Sequence, residues 1–187
     1  DNDTFQDFST WRTSLSYAWR ELGLRPHASY GTGVKLPGMY DQFGPNNSDY
    51  KSNPNLNPET SRGWDAGIEA TLLGGRATVD VTYFEADLRN CFFLDFDLAD
   101  FKSFVNNSSG ESTRRGVEIA TRYALTPGLS LGLAYTYTDA KDANGLREFR
   151  RAPHSGRADL RALFAEGRGT ASIAVAYTGS RDDRVFF

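Results

Sequence analysis

The chain has 187 residues, 24% charged and 39% hydrophobic, with a net charge of −3. That length fits one domain, and no apolar run approaches the roughly 18 residues of a membrane-crossing helix. The acidic balance argues against a nucleic-acid partner, 13 Phe, 9 Tyr and 3 Trp are too many for a solvated disordered chain, and the lone Cys91 rules out an intramolecular disulfide framework.

The side chains alternate with a period of two. Over Trp11–Arg20 one parity carries Trp11, Thr13, Leu15, Tyr17 and Trp19, and the other Arg12, Ser14, Ser16, Ala18 and Arg20. Successive side chains of a strand point to opposite faces, so this is a strand pattern. It returns in Leu24–Tyr30, Trp64–Leu72, Ala77–Tyr83, Val117–Tyr123, Leu129–Tyr137, Ala158–Phe164 and Ala171–Tyr177, which makes eight expected strands. No stretch of comparable length has a helical period. Short connections at Leu22-Gly23, Leu73–Arg76, Leu125–Gly128 and Glu166–Arg168 carry the Gly and Pro of tight turns. They alternate with long ones at about Val34–Ser61, Leu88–Arg115 and Thr138–His154. Three such loops are unusual in a compact domain and usual in a transmembrane β-barrel.

Charge separates the two parities. The more apolar one carries no Asp, Glu, Lys or Arg in any of the eight segments, whereas the other carries Arg12, Arg20, Arg25, Asp65, Glu69, Asp80, Glu118, Arg122, Arg157, Asp159 and Arg161. On the apolar parity, Trp11, Tyr30, Trp64, Tyr83, Tyr135, Tyr137 and Tyr177 lie at the long-loop end. Tyr17, Trp19, Tyr123 and Phe164 lie at the short-turn end. Two aromatic girdles around an aliphatic band describe a bilayer-facing wall. A soluble antiparallel sheet on a core is the alternative, and it gives no reason to sort aromatics to both ends. The expected fold is therefore all-β, an antiparallel transmembrane β-barrel, present here as an incomplete segment of about eight strands. Strand one begins and strand eight ends on the long-loop side, and residues 179–187 read as the start of another long loop. Both ends would then lie outside the cell, as in an internal piece of a larger barrel.

Ser29–Gly44 (S-Y-G-T-G-V-K-L-P-G-M-Y-D-Q-F-G) resembles the S-Y-G-x-G-[FV]-[KR]-x-P segment of TonB-dependent outer-membrane receptors. Asn53–Glu69 is similar to the family's N-P-x-L-x-P-E-x-S-x-x-x-E-x-G-x-E pattern, with Asp65 where Glu is frequent. Tyr83–Asn90, Val105–Glu118, Gly128–Ala140 and Arg150–Ser155 follow in family order. The resemblance implies a Gram-negative outer-membrane receptor for energy-dependent uptake of a large nutrient such as a ferric siderophore or cobalamin. The compact hairpins and N-P-N-L-N-P-E look most like the cobalamin-receptor branch. It further implies a 22-stranded barrel, of which residues 1–187 would be strands twelve to nineteen. Three more strands and an N-terminal plug domain that touches TonB would lie outside this piece. The implied partners are outer-membrane lipid, the plug, TonB through the plug, and the nutrient.

Charges of the inner parity suit contact with plug side chains, and Arg12, Arg20, Arg25, Asp80, Arg122 and Arg161 are expected toward the short-turn half. The long loops offer aromatics for a ligand: Tyr40, Phe43 and Tyr50 in the first, Phe92, Phe93, Phe96 and Phe101 in the second. Arg150 and Arg151 suit an anionic chelate. Asp95, Asp97 and Asp100 lack the Gly and downstream Glu of a calcium loop and read as a hydrated acidic loop. His27 and His154 fall at opposite ends of the wall, so no metal site or cofactor is expected. No Ser stands in a G-x-S-x-G elbow, and no glycine loop precedes a helix, so an enzyme is not expected. A passive porin-like or small β-barrel protein is the other functional reading.

Overall fold

A computed structural model of the chain describes residues 7–183; residues 184–187 of the expected last loop lie outside that range. The described residues form ten strands: β1 (Arg12–Ser16), β2 (Leu24–Lys35), β3 (Glu59–Leu72), β4 (Ala77–Arg89), β5 (Phe92–Asp97), β6 (Lys102–Asn107), β7 (Glu111–Thr126), β8 (Leu129–Lys141), β9 (His154–Phe164) and β10 (Gly169–Thr178). A short helix, α1 (Met39–Phe43), lies between β2 and β3. Eight strands form one antiparallel sheet in the order β1-β2-β3-β4-β7-β8-β9-β10, and β5–β6 is a separate hairpin. The sheet is a meander with β1 and β10 at its open edges.

Register follows the alternation read from the sequence. Tyr30 stands opposite Trp64, and Ala66 opposite Tyr83; Ile119 faces Tyr135, Leu131 faces Leu160, and Leu160 faces Ile173. These residues share the outward face. On the other face Arg25 pairs with Glu69, and Glu118 with both Thr82 and Thr136. A one-residue slip would exchange the two faces, so the register is strongly specified. The long-loop girdle is in contact: Trp11 with Tyr30, and Trp64 with Tyr83, each at 5.3 Å between ring centroids. At the short-turn girdle the Arg76 guanidinium lies over the Tyr123 ring at 5.8 Å.

Two expectations need correction. The first strand is regular only over Arg12–Ser16, not Trp11–Arg20. Tyr17 still donates to the Pro26 carbonyl at 3.1 Å. Pro26 has no N–H to return the bond, so the ladder is interrupted there. The first two long connections are also not loops along their whole length. β2 runs on to Lys35, β3 begins at Glu59, β4 reaches Arg89 and β7 begins at Glu111. Above the aromatic girdle the outward positions turn from apolar to charged. The backbone ladder continues there without the apolar alternation that identifies a strand.

Among the described residues the outward face has no protein cover: Ile68 is 52% and Val175 64% exposed. In water this would be a far larger apolar patch than a soluble monomer shows. The deepest burial lies instead on the long-loop side, where Leu56 is 2% exposed and Gln42, Ser112 and Ala140 are also buried. Two glycines show the steric demand of the turns and of close strand packing. Gly23 turns the first hairpin at φ +65°. At Gly116 a Cβ would lie 1.9 Å from the Tyr137 carbonyl oxygen and 2.8 Å from the Phe84 ring.

Leu133 lies between the two girdles on the outward face, opposite Thr121 and Ala158. Leu133→Arg in the complete barrel is expected to cost about 2–4 kcal/mol at mid-bilayer depth. Thr136→Arg, which faces inward beside Glu118, is expected to cost much less. Denaturant titration of barrels refolded into lipid vesicles measures both, and equal costs would refute the assignment of faces.

Candidate functional site

The inner face carries a polar network. Arg12 donates to Ser29 Oγ at 2.8 Å and to Asp65 Oδ2 at 3.4 Å, and Ser29 donates to Asp65. Arg25 grips Glu69 with two parallel bonds of 3.1 and 3.0 Å. His27 Nε2 meets Asp80 Oδ2 at 2.8 Å, and Thr82 donates to Asp80 Oδ1 at 2.7 Å. Arg12, Arg25, His27, Ser29, Asp65 and Asp80 line an open depression of about 280 Å³. Arg157 and Asp159 lie 3.7 Å apart further along the wall; Arg122 stands opposite Thr78 and Gly132, Arg161 opposite Ser130 and Ser172, and Arg20 sits in the first tight turn. One placement is corrected. Arg12 lies opposite Gly31 in the long-loop half, not the short-turn half, because β1 descends from the loop side.

Above the wall, the first two long connections fold together. The segment Asp49–Asn53 runs along the free edge of β6: Lys51 N–H donates to the Ser103 carbonyl at 3.0 Å, and Ser103 N–H to the Asp49 carbonyl at 2.9 Å. Asn53 Nδ2 donates to the Val105 carbonyl at 3.0 Å, and Asn107 exchanges bonds with the Asn57 backbone at 2.7 and 2.9 Å. Lys51 donates to Asp97, and to Asp100 at 3.2 Å, with its ammonium 5.1 Å over the Phe104 ring. Asp95 accepts from Asn106 Nδ2 at 3.2 Å. The acidic stretch is therefore joined to a specific cation and amide rather than simply hydrated. At the base, Glu59 accepts from Phe92 N–H at 2.6 Å and meets Lys35 at 3.3 Å.

The candidate ligand aromatics fall into four environments. Tyr40 stacks on Tyr50 at 5.2 Å, and the Tyr50 hydroxyl donates to Asp41 at 2.9 Å. Phe92 is half-buried beneath the Lys35 ammonium at 5.0 Å. Phe96 and Phe101 are exposed with Leu98 at the hairpin tip, where Phe96 meets Phe101 edge-on at 6.4 Å, and Phe93 and Leu94 are exposed nearer the hairpin base. Phe43 is exposed at the end of α1. The arginine pair is split: Arg151 joins Arg114 on Glu148 at 3.0 and 3.1 Å, while Arg150 reaches Asp183 at 2.9 Å. Sequence reasoning missed Lys51, Asn53, Asn57 and Asn107, which fasten the two connections. The signal was present as Asn-rich turns and one Lys opposite three Asp, but their partners are some fifty residues apart.

The Lys51 bond, followed by the Ala99 N–H, holds the Asp97 carboxyl below its usual range, and the Asp97 bond raises the Lys51 ammonium. A depressed carboxylate stabilises the junction above its ordinary pKa of about 3.9 and loses that effect as pH falls through the lower folded value. The distance between spin labels at Ser48 and Ala99 should therefore stay narrow at about pH 4 and broaden only below it. Lys51→Met should broaden it at every pH. Burial, then the bond to Asp41, pushes the Tyr50 phenol up to about 12. The stabilisation is complete below the ordinary phenol value of about 10 and fades as pH rises through about 12. The difference in tyrosinate absorbance between the parent and Tyr50→Phe should have its midpoint near 12.

The family model described as "TonB dependent receptor-like, beta-barrel" matches residues 1–185. Among solved structures, the chain is similar to the Serratia marcescens hemophore receptor HasR in complex with HasA and heme. The TM-score is 0.71 at 16% identity over 91% of this chain and 32% of that one. It is also similar to the siderophore receptor PirA from Pseudomonas aeruginosa (0.65, 19%, 94% and 32%) and to the copper transporter OprC (0.66, 14%, 89% and 26%). The chain thus spans about a third or less of the length of these structures, and at such identities the likeness shows the fold alone. The family match over nearly every residue, on a two-faced antiparallel wall, shows that the chain belongs to the TonB-dependent receptors of the Gram-negative outer membrane, as part of their β-barrel.

Proposed function

We propose that this chain is the partial barrel domain, residues 1–187, of a receptor that imports a large nutrient, such as a ferric siderophore or cobalamin, in an energy-dependent way. The observation that carries this reading is the pairing of a charged inner wall with a folded, aromatic-tipped body above it. A nutrient arriving from outside meets Tyr40, Phe43, Phe93, Phe96 and Phe101 first. Exposed aromatics on a braced hairpin give contact area with little ordering cost. Arg150 and Arg151 offer charge to an anionic chelate from the third connection. The names of neighbours reported above, a siderophore receptor and a hemophore receptor among them, support the iron-chelate class; the N-P-N-L-N-P-E segment supports cobalamin.

Arg12, Arg20, Arg25, Asp65, Glu69, Asp80, Glu118, Arg122, Arg157, Asp159 and Arg161 form the wall against which the receptor's own plug domain would rest, and TonB would act through that plug. Half-exposed pairs such as Arg25–Glu69 retain donors and acceptors on their inner side for such a partner.

Phe96→Ala combined with Phe101→Ala in the full receptor is expected to weaken ligand binding to cells by about 1–3 kcal/mol. The folded barrel's heat-modifiable gel mobility should not change, because Phe96 and Phe101 belong to the separate β5–β6 hairpin and not to the eight-stranded sheet. Normal binding would place the ligand on other loops or the plug. Uptake should stop when the proton gradient is collapsed; uptake that persists would establish a passive pore.

A further inference from the structure

The β5–β6 hairpin has two outer edges, and they are finished differently. Leu94 stands opposite Val105, and Phe96 opposite Ser103. On β6 the Ser103 N–H and carbonyl bond to the Asp49–Asn53 segment, and the Val105 carbonyl accepts from the Asn53 amide. Ser103 and Val105 thus turn their backbone groups away from β5, and in an antiparallel pair the residues opposite them turn theirs away from β6. The outer edge of β5 therefore presents Phe92, Leu94 and Phe96. The Phe92 N–H donates to the Glu59 carboxylate at 2.6 Å, and the Phe96 N–H to Asp95 Oδ1 at 2.9 Å. Between them the N–H and carbonyl of Leu94 meet no partner among the described residues, and Leu94 is 53% exposed.

The occupied edge of the hairpin shows what the open one fits. Asp49–Asn53 lies along β6 as an extended segment, with Tyr50 bridged to Ser103. It pairs its backbone with one residue, Ser103, and brings one cation, Lys51, to Asp97 and Asp100. The β5 edge offers the same two features. Antiparallel pairing lets a single residue of an extended chain exchange both bonds with Leu94. Asp95 shares a face with Asp97 by strand alternation. It accepts from Asn106 Nδ2 at 3.2 Å and from the Phe96 N–H, and it meets no cation among the described residues. The other face of the edge is apolar, with Leu94 beside the half-exposed Phe96. Strand addition to an open edge draws affinity from main-chain bonds and specificity from alternate side chains. Here the alternation calls for an apolar residue flanked by cationic ones.

We propose that the outer edge of β5 docks an extended segment of a partner protein. The segment adds antiparallel to the hairpin as a further strand, with an apolar side chain beside Leu94 and a Lys or Arg beside Asp95. The contact is to backbone at Leu94 rather than to the aromatic tip, so it does not depend on which nutrient the receptor imports.

The test uses the detergent-solubilised full receptor without nutrient and the fluorescence anisotropy of a labelled, end-blocked peptide, Thr-Lys-Val-Lys-Thr. The parent should bind it. A copy N-methylated at the valine keeps every side chain but loses the N–H that bonds to the Leu94 carbonyl, and it should bind on the order of tenfold more weakly. Leu94→Pro removes the N–H on the receptor side and should weaken the parent peptide to a similar degree. Proline is tolerated on an edge whose N–H faces outward, and a narrow Ser48–Ala99 spin-label distance checks that the hairpin is intact. Asp95→Asn still accepts the Phe96 N–H and should cost about threefold. The N-methyl comparison needs no receptor variant, so it decides the matter even where Leu94→Pro disturbs the hairpin. Equal binding of the two peptides, unchanged affinity in an intact Leu94→Pro receptor, or no binding by the parent at millimolar peptide would each overturn the proposal. Self-association of the parent that Leu94→Pro abolishes would give the edge to a second copy of the chain and overturn it as well.

Discussion

The molecule depends on one constraint: a strand whose outward face meets hydrocarbon must satisfy every backbone N–H and C=O from its neighbours. No water is available there, and an unpaired group costs several kcal/mol. Antiparallel pairing along β2-β3-β4-β7-β8-β9-β10 meets this demand and sets the register residue by residue. Register then sorts side chains into rows, which gives the apolar band, the aromatic girdle and the charged positions above it their order. Gly116 shows how tight that order is, since the Phe84 ring and the Tyr137 carbonyl occupy the space a Cβ would need. Pro26 marks the local failure of the same rule, where β1 loses a return bond and its regular pairing ends.

Because lipid replaces a protein core on one side of the wall, conventional burial moves to the loops. Leu56 and Gln42 sit under the joined first and second connections, where water would otherwise compete for the backbone. Asn46, Asn47, Asn53 and Asn107 satisfy that backbone with side-chain amides. The result is a body held mainly by hydrogen bonds and by the Lys51 junction, braced enough to present Phe96 and Phe101 to solvent.

The inner-face ion pairs serve a different purpose. They are half-exposed, and such pairs contribute at most about 1 kcal/mol each. Their value lies in presenting an ordered array of donors and acceptors rather than in stabilising the sheet. Arg25 with Glu69, and His27 with Asp80 and Thr82, hold each other's geometry while leaving a polar surface open to a partner.

The sequence by itself determined the strands between the girdles, their faces and their short turns. Those features follow from a two-residue period read against hydrocarbon, and Tyr30, Trp64, Tyr83 and Tyr137 stand where that period puts them. Family membership was legible as well, through ordered motifs such as Ser29–Gly44. Above the girdle the period lost its apolar signal, so Arg62, Asp87, Arg89 and Glu111 read as loop although their backbones remain in the ladder. The β5–β6 hairpin and α1 were hidden for a similar reason, being short and covered by polar contacts. Only the tertiary structure decided that Lys51 belongs to Asp97 and that Arg150 and Arg151 have separate partners. Each depends on residues far apart in the chain meeting at one place, and local side-chain patterns carry no record of such meetings.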